Sequence, residues 1–122
     1  MSKKIHIEKR RSVCPIASAL DIIGDKWSLL IIRDIGLFNK HIYKDFQSAE
    51  EKFPSNILAH RLKMLVENDI IEKRQYQDNP PRYEYHLTEK GRDLIPVIRQ
   101  MAKWASCHVQ GTTLPKNQRV GR

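Results

Sequence analysis

Cysteine is scarce in this chain. Cys14 and Cys107 are the two among 122 residues, so a disulfide framework is not expected. Long apolar runs are missing as well. The longest unbroken one is Leu29–Ile32, far short of the ~20 apolar residues of a membrane span. The opening stretch MSKKIHIEKRRS is charged and has no apolar segment of the signal-peptide kind. There is no Gly-rich phosphate loop, no Gly-x-Ser-x-Gly elbow and no His-Glu-x-x-His pattern, so an enzyme reading has no motif behind it. Asp21, Asp25 and Asp34 are scattered on helical segments, where structural roles suffice. Cys107-His108 has no further ligands at zinc spacing, so neither a metal nor a cofactor is expected. Internal repeats and low-complexity tracts are absent too. The expectation is one soluble domain in the cytoplasm, away from membranes.

Charge of one sign is in excess: 22 basic against 14 acidic residues, or +8. That invites a nucleic-acid partner, but the excess sits at the ends. Residues 1–12 carry +4 and residues 115–122 carry +3, leaving +1 for everything between. Residues 1–13 read as a basic arm, 14–107 as the folded domain and 108–122 as a flexible basic tail.

Within the domain, Pro15 suits the first position of a helix. Ile16, Ala19, Leu20 and Ile23 follow at helical spacing, and Gly24 is expected to close the helix in a left-handed cap. Asp25 reads as an N-cap for a second helix bearing Trp27, Leu30, Ile31 and Ile35. Tyr43 and Phe46 suggest a short helix from about His41 to Glu51. Pro54 closes that segment, and Ser55 is expected to cap the next helix. There Leu58, Leu62, Leu65 and Val66 share one face, while Asn56, Ala59, His60 and Lys63 share the other. Asn68-Asp69 tolerates the left-handed turn that ends it. The period then becomes two. Ile71 to Tyr76 and Arg82 to Leu87 alternate around the turn-rich Gln77–Pro81, which predicts a β-hairpin. Thr88 is a plausible N-cap for a last helix through about Ser106, with Pro96 marking a kink or a break. Helix, turn, helix and hairpin make a winged helix-turn-helix, whose second helix presents its first turns to the DNA major groove. The fold class expected is α+β, mostly α, with a two-stranded wing and N- and C-terminal dimerisation helices.

Three stretches carry a family resemblance: CPIASALDIIGDKWSLLIIRD at 14–34, SNILAHRLKMLVENDIIEKR at 55–74 and PPRYEYHLTEKGRDLIPVI at 80–98. With their spacings they resemble the HxlR-type winged-helix regulators of bacteria, relatives of the MarR group. The likeness covers residues 12–106. It departs at Asp69, where the family usually has Gly. The resemblance implies a dimeric, sequence-specific transcription regulator on the bacterial nucleoid. It also implies that Cys14 serves as a sensor of a small electrophile or oxidant. The residues themselves support that role in one way: Cys14 precedes a helix and follows Arg10 and Arg11, a setting that favours the thiolate. A small buried apolar residue is the plain alternative.

The candidate DNA-reading residues follow from the pattern. On the recognition helix they are Ser55, Asn56, Ala59, His60, Arg61 and Lys63. Asn56 can pair with adenine, and Lys63 or Arg61 with guanine or phosphate. Arg61 borders the apolar stripe and can instead pair internally. On the wing they are Lys73, Arg74, Asn79 and Arg82, with Arg82 suited to a narrow minor groove. Tyr76, Tyr83 and Tyr85 are expected to pack across the strands. Ile16, Leu20, Ile98, Met101 and Trp104 are expected at a homodimer interface. Such a two-fold dimer would set its reading helices about 34–36 Å apart on a palindromic operator of double-stranded DNA. The main alternative is a winged helix that binds protein; it requires exposed apolar anchors on residues 55–63. An RNA-binding role would instead require exposed wing aromatics.

Overall fold

The computed structural model describes residues 4–114. Lys3, Lys116, Arg119 and Arg122, and with them much of the two basic ends, lie outside the described residues. The order is α1 (Pro15–Ile23), α2 (Ser28–Gly36), α3 (Tyr43–Gln47), α4 (Ser55–Glu67), β1 (Ile71–Asp78), β2 (Pro81–Leu87), α5 (Glu89–Arg92) and α6 (Ile95–His108). This is the mostly helical architecture that the sequence pattern implies, with one two-stranded antiparallel sheet.

Local chemistry accounts for most boundaries. Pro15 occupies the first turn of α1, where a missing N–H leaves nothing unpaired. Trp27 holds the N-cap position of α2, and Asp25 two residues ahead still serves the start of the helix: its Oδ2 accepts from the amides of Trp27 and Ser28 at 3.0 and 2.9 Å. Asp69 takes the left-handed conformation at φ 59° and ends the connection after α4. Thr88 caps α5 by accepting from the Gly91 amide at 3.2 Å. Pro96 proves to be a break. It sits in the first turn of α6 behind the separate short helix α5.

Three expectations change. Gly24 ends α1 in the right-handed region, φ −81°, and its amide simply completes a bond to the Leu20 carbonyl. Ser55 is the first residue of α4 rather than its cap. Pro54 is already extended, and its carbonyl accepts the first helical bond from Leu58. The third helix is shorter than His41–Glu51. At one end His41 is drawn to the wing, its carbonyl accepting from the Tyr85 amide at 2.7 Å. At the other end Lys52 turns left-handed at φ 57°. The basic arm has no helix or strand over residues 4–13, and two of its side chains meet the domain. Ile5 packs on the core, and Arg11 reaches Asp21 at 2.7 Å.

The core gathers Ile31, Ile32 and Ile35 of α2, Phe46 of α3, and Leu58, Leu62 and Leu65 of α4. Ile70 and Ile71 enter it from the root of the hairpin, and Leu87 closes it. Ile98 of α6 is buried here at 9% exposure, so it belongs to the monomer core and is not available to a second chain. Its neighbours on α6 point the other way: Val97, Met101 and Trp104 are 44–63% exposed. Beside the core lies an ion-pair cluster that runs from the buried Asp34 out to the exposed Glu51. Arg33 forks to Asp34 Oδ1 at 2.9 and 2.7 Å and to Glu51 with two bonds of 2.9 Å. This ties α2 to the segment that follows α3.

Candidate nucleic-acid interface

The helix-turn-helix is α3, the turn through Pro54, and α4. Phe46 pins α3 into the core. Tyr43 Oη donates to the Ser55 carbonyl at 3.1 Å, joining the start of α3 to the start of α4. Phe53 packs against Trp27, ring centroids 5.2 Å apart, and holds the turn down. With Leu58, Leu62 and Leu65 facing inward, the opposite face of α4 must face solvent. Ser55, Asn56, Ala59, His60 and Lys63 are all exposed there. No side chain caps α4. The N–H groups of its first turn therefore stay open to an anion, with the helix dipole favouring one.

Arg61 departs from this group. Its guanidinium turns inward, with Nε donating to Ser28 Oγ at 2.9 Å and Nη2 donating to the Ile22 carbonyl at 3.1 Å. Asp25 Oδ1 lies 3.1 Å from the same nitrogen. Three partners hold this side chain inside, so it cannot read DNA from there. Burial pushes the Asp25 carboxyl up, but hydrogen bonds from the Ser28 hydroxyl and from the Trp27 and Ser28 amides, with the Arg61 charge, outweigh it. The net shift is downward. The borderline position of Arg61 on the helical wheel was the available signal. The Asp25–Ser28 pair that receives it had none beyond the N-cap reading.

On the wing, Ile71 pairs with Leu87, Lys73 with Tyr85 and Gln75 with Tyr83. A bulge between Gln75 and Gln77 shifts the register before Arg82. The strands run further than the alternation predicts, which shortens the tip to Asn79-Pro80. Lys73, Arg74, Asn79 and Arg82 are all exposed. They differ in what holds them. Arg74 is ion-paired with Glu72. Lys73 Nζ lies 4.2 Å from the Tyr83 ring centre. Arg82 has no ion pair among the described residues. Lys63 and Lys73 stand on the walls of a cleft of about 470 Å³ between α4 and the wing, with Tyr43 and Tyr85 also lining it.

The tyrosines do not all pack across the strands. Tyr85 does turn inward, its ring 6.1 Å from that of Phe46, and burial pushes its hydroxyl pKa up. Tyr83 is 39% exposed and Tyr76 49% exposed. The bulge is the reason for Tyr76, which has no residue opposite it. At the root of the wing His41 and His86 stack at 4.4 Å, a contact the sequence did not announce.

Cys14 is exposed at the N-cap position of α1, its amide donating to Ser12 Oγ at 3.1 Å. Arg11 is engaged with Asp21 and the Ala17 carbonyl. Its charge is therefore directed at α1, which weakens the sequence argument for an activated thiolate. Cys107 is a half-buried free thiol near the end of α6. Ile16, Leu20, Met101 and Trp104 are 72%, 55%, 52% and 63% exposed, an unusual density of apolar surface on two helices. No helix among the described residues is long and apolar enough to cross a membrane.

A helix-turn-helix whose second helix shows a polar face beside a two-stranded hairpin defines a winged helix-turn-helix protein. A sequence profile described as HxlR-like helix-turn-helix matches residues 22–113. The chain belongs to this HxlR-like family of transcriptional regulators. An uncharacterised HTH-type transcriptional regulator of Bacillus subtilis, YybR, is 32% identical over 104 residues, 85% of this chain and 82% of its own. Among solved structures, the redox regulator HypR in its oxidised form superposes with a TM-score of 0.70 at 30% identity, covering 78% of this chain and 97% of that one. The reduced form of the transcriptional regulator YodB from B. subtilis gives 0.65 at 31% identity, covering 84% and 100%.

Proposed function

We propose that this chain binds double-stranded DNA in a sequence-specific manner as a homodimer and regulates transcription from a palindromic operator. The observation that carries the reading is the outward face of α4. Ser55, Asn56, Ala59, His60 and Lys63 are exposed together, with no large apolar side chain among them. A protein-docking helix needs apolar anchors on that face; a DNA-reading helix needs donors and acceptors. Lys63 and Asn56 are the base-reading residues in this proposal, and Arg82 is the wing residue placed against the backbone or minor groove. Arg61 is withdrawn from the reading set, and Ile98 from the dimer set. Ile16, Leu20, Met101 and Trp104 make the interface between protomers. Cys14 is the redox- or electrophile-responsive residue. Its exposure at the start of α1 and the likeness to a protein described as a redox regulator support that part.

The test is anisotropy titration of a duplex taken from upstream of the protein's own gene, with and without a thiol oxidant. Lys63→Ala and Arg82→Ala should each weaken binding. Unchanged affinity in both removes the site assignment. Cys14→Ser should abolish the response to oxidant, and an equal response in that variant removes the sensing role.

One observation favours a second reading. Tyr76 and Tyr83 lie open on the wing, as stacking on single-stranded RNA would need. Tighter binding to single-stranded RNA than to any duplex would select it.

A further inference from the structure

Arg61 is carried by the recognition helix yet grips the other side of the fold. Ile22 belongs to the last turn of α1, Ser28 opens α2, and Asp25 stands between them. One guanidinium bonds to all three. Ser28 is fully buried. Its hydroxyl donates to Asp25 Oδ1 at 2.5 Å while accepting from Arg61, so the network has no slack. The leucines on the same face of α4 are non-directional contacts that permit small slides and rotations. Directional bonds from a planar fork do not permit them, and a lysine cannot reproduce that geometry. The outer side of α1 carries Ile16 and Leu20, exposed where a second protomer would seat.

We propose that Arg61 is a positioning residue. It locks the recognition helix to the α1–α2 corner and makes the placement of α1 a determinant of how α4 meets DNA. This rests on the DNA-binding reading of α4. A change in α1, whether from partner seating or from its N-terminal end, then reaches the reading face as a rotation of α4.

The experiment compares Arg61→Gln, Arg61→Lys and Ser28→Ala in the full chain. Affinity is measured for the operator duplex and for an unrelated duplex across a salt series. Arg61→Gln and Ser28→Ala should each weaken operator binding by about tenfold. Binding to the unrelated duplex and the slope of log affinity against log salt should not change, since no phosphate contact is lost. Arg61→Lys should fail to restore operator affinity. A slope reduced by about one in Arg61→Gln means a direct phosphate contact and overturns the proposal. So does unchanged operator affinity in both Arg61→Gln and Ser28→Ala. Hydrogen exchange without DNA gives a separate reading. Amides in the last turn of α1 and the first turns of α4 should exchange faster together in Arg61→Gln, while those of β1 and β2 stay as they are. Unchanged exchange refutes the lock whether or not DNA binds. If the wild type binds no duplex while exchange rises as expected, the lock stands and the DNA reading fails. Should Arg61→Gln not fold, Ser28→Ala carries both measurements, since alanine fits the space of serine.

Discussion

Replacing Gly91 by alanine tests how the wing is joined to the last helices. Gly91 is buried in α5, where an added Cβ would stand 2.2 Å from the Ile70 carbonyl oxygen and 3.2 Å from Leu87 Cδ2. The first distance requires a shift of about 1 Å, because non-bonded atoms sit near 3.5 Å at rest. The obstacle is backbone. Ile70 O also accepts from the Thr88 amide at 3.1 Å and lies 3.0 Å from the Thr88 hydroxyl. Moving it loosens the joint between the end of α4, the root of the hairpin and the cap of α5. Overpacking costs about 1–3 kcal/mol, and a weakened hydrogen bond about 1 kcal/mol more. Alanine's better helix propensity returns up to ~1 kcal/mol. The net expectation is about 1–3 kcal/mol of lost stability, or roughly 4–12 °C in Tm for a chain of this size. Gly36→Ala is the internal control. Its Cβ would meet Ile95 Cδ1 at 2.4 Å and Leu87 Cδ1 at 2.9 Å. Those are ends of flexible side chains, which can rotate away, so the cost should stay under about 1 kcal/mol. Circular dichroism melts and urea titrations of both variants decide the matter. A Gly91→Ala change within about 0.5 kcal/mol of wild type refutes the reasoning, as does a Gly36→Ala loss of equal size.

Acid stability should depend on Glu51. The Arg33 hydrogen bonds hold its carboxyl at about 2 against an ordinary 4.5. The folded value is the lower one, so its stabilisation is complete above pH 4.5 and is lost as pH falls toward 2. Burial moves neighbouring Asp34 the opposite way, upward, so it partly offsets that loss. Glu51→Gln should flatten the acid limb of urea midpoint against pH; an unchanged limb contradicts the pairing. Trp104→Lys, at a site 63% exposed, should convert the proposed dimer to monomer in sedimentation with little change in Tm, and a retained dimer moves the interface elsewhere. Removing residues 1–3 and 115–122 takes away a net +4. It should flatten the salt dependence of DNA binding more than it erodes sequence preference; the reverse outcome places the tails in base reading.

The sequence was legible wherever a feature depends on residues within a few positions of one another. Helix periods, the Asp25 bonds at the start of α2, the Thr88 cap, the left-handed turn at Asp69 and the alternation in the hairpin are all of that kind. So is the apolar face of Leu58, Leu62 and Leu65, which sets the opposite face of α4 outward. Those local rules determined the order of elements, the winged helix-turn-helix and most of the candidate reading face.

Other features were decided in space. Arg61 borders the leucine stripe, and whether it points in or out depends on Ser28, 33 positions away. Ile98 and Met101 are both apolar on α6, yet one is core and the other surface, according to which side α2 and the hairpin root occupy. The bulge after Gln75 strips Tyr76 of a cross-strand neighbour, and no propensity encodes where a ladder slips. Periodicity says that a helix has an apolar side. What lies across from each borderline position is settled only when the chain has folded back on itself, and there a side chain takes whichever partner satisfies its buried polar atoms.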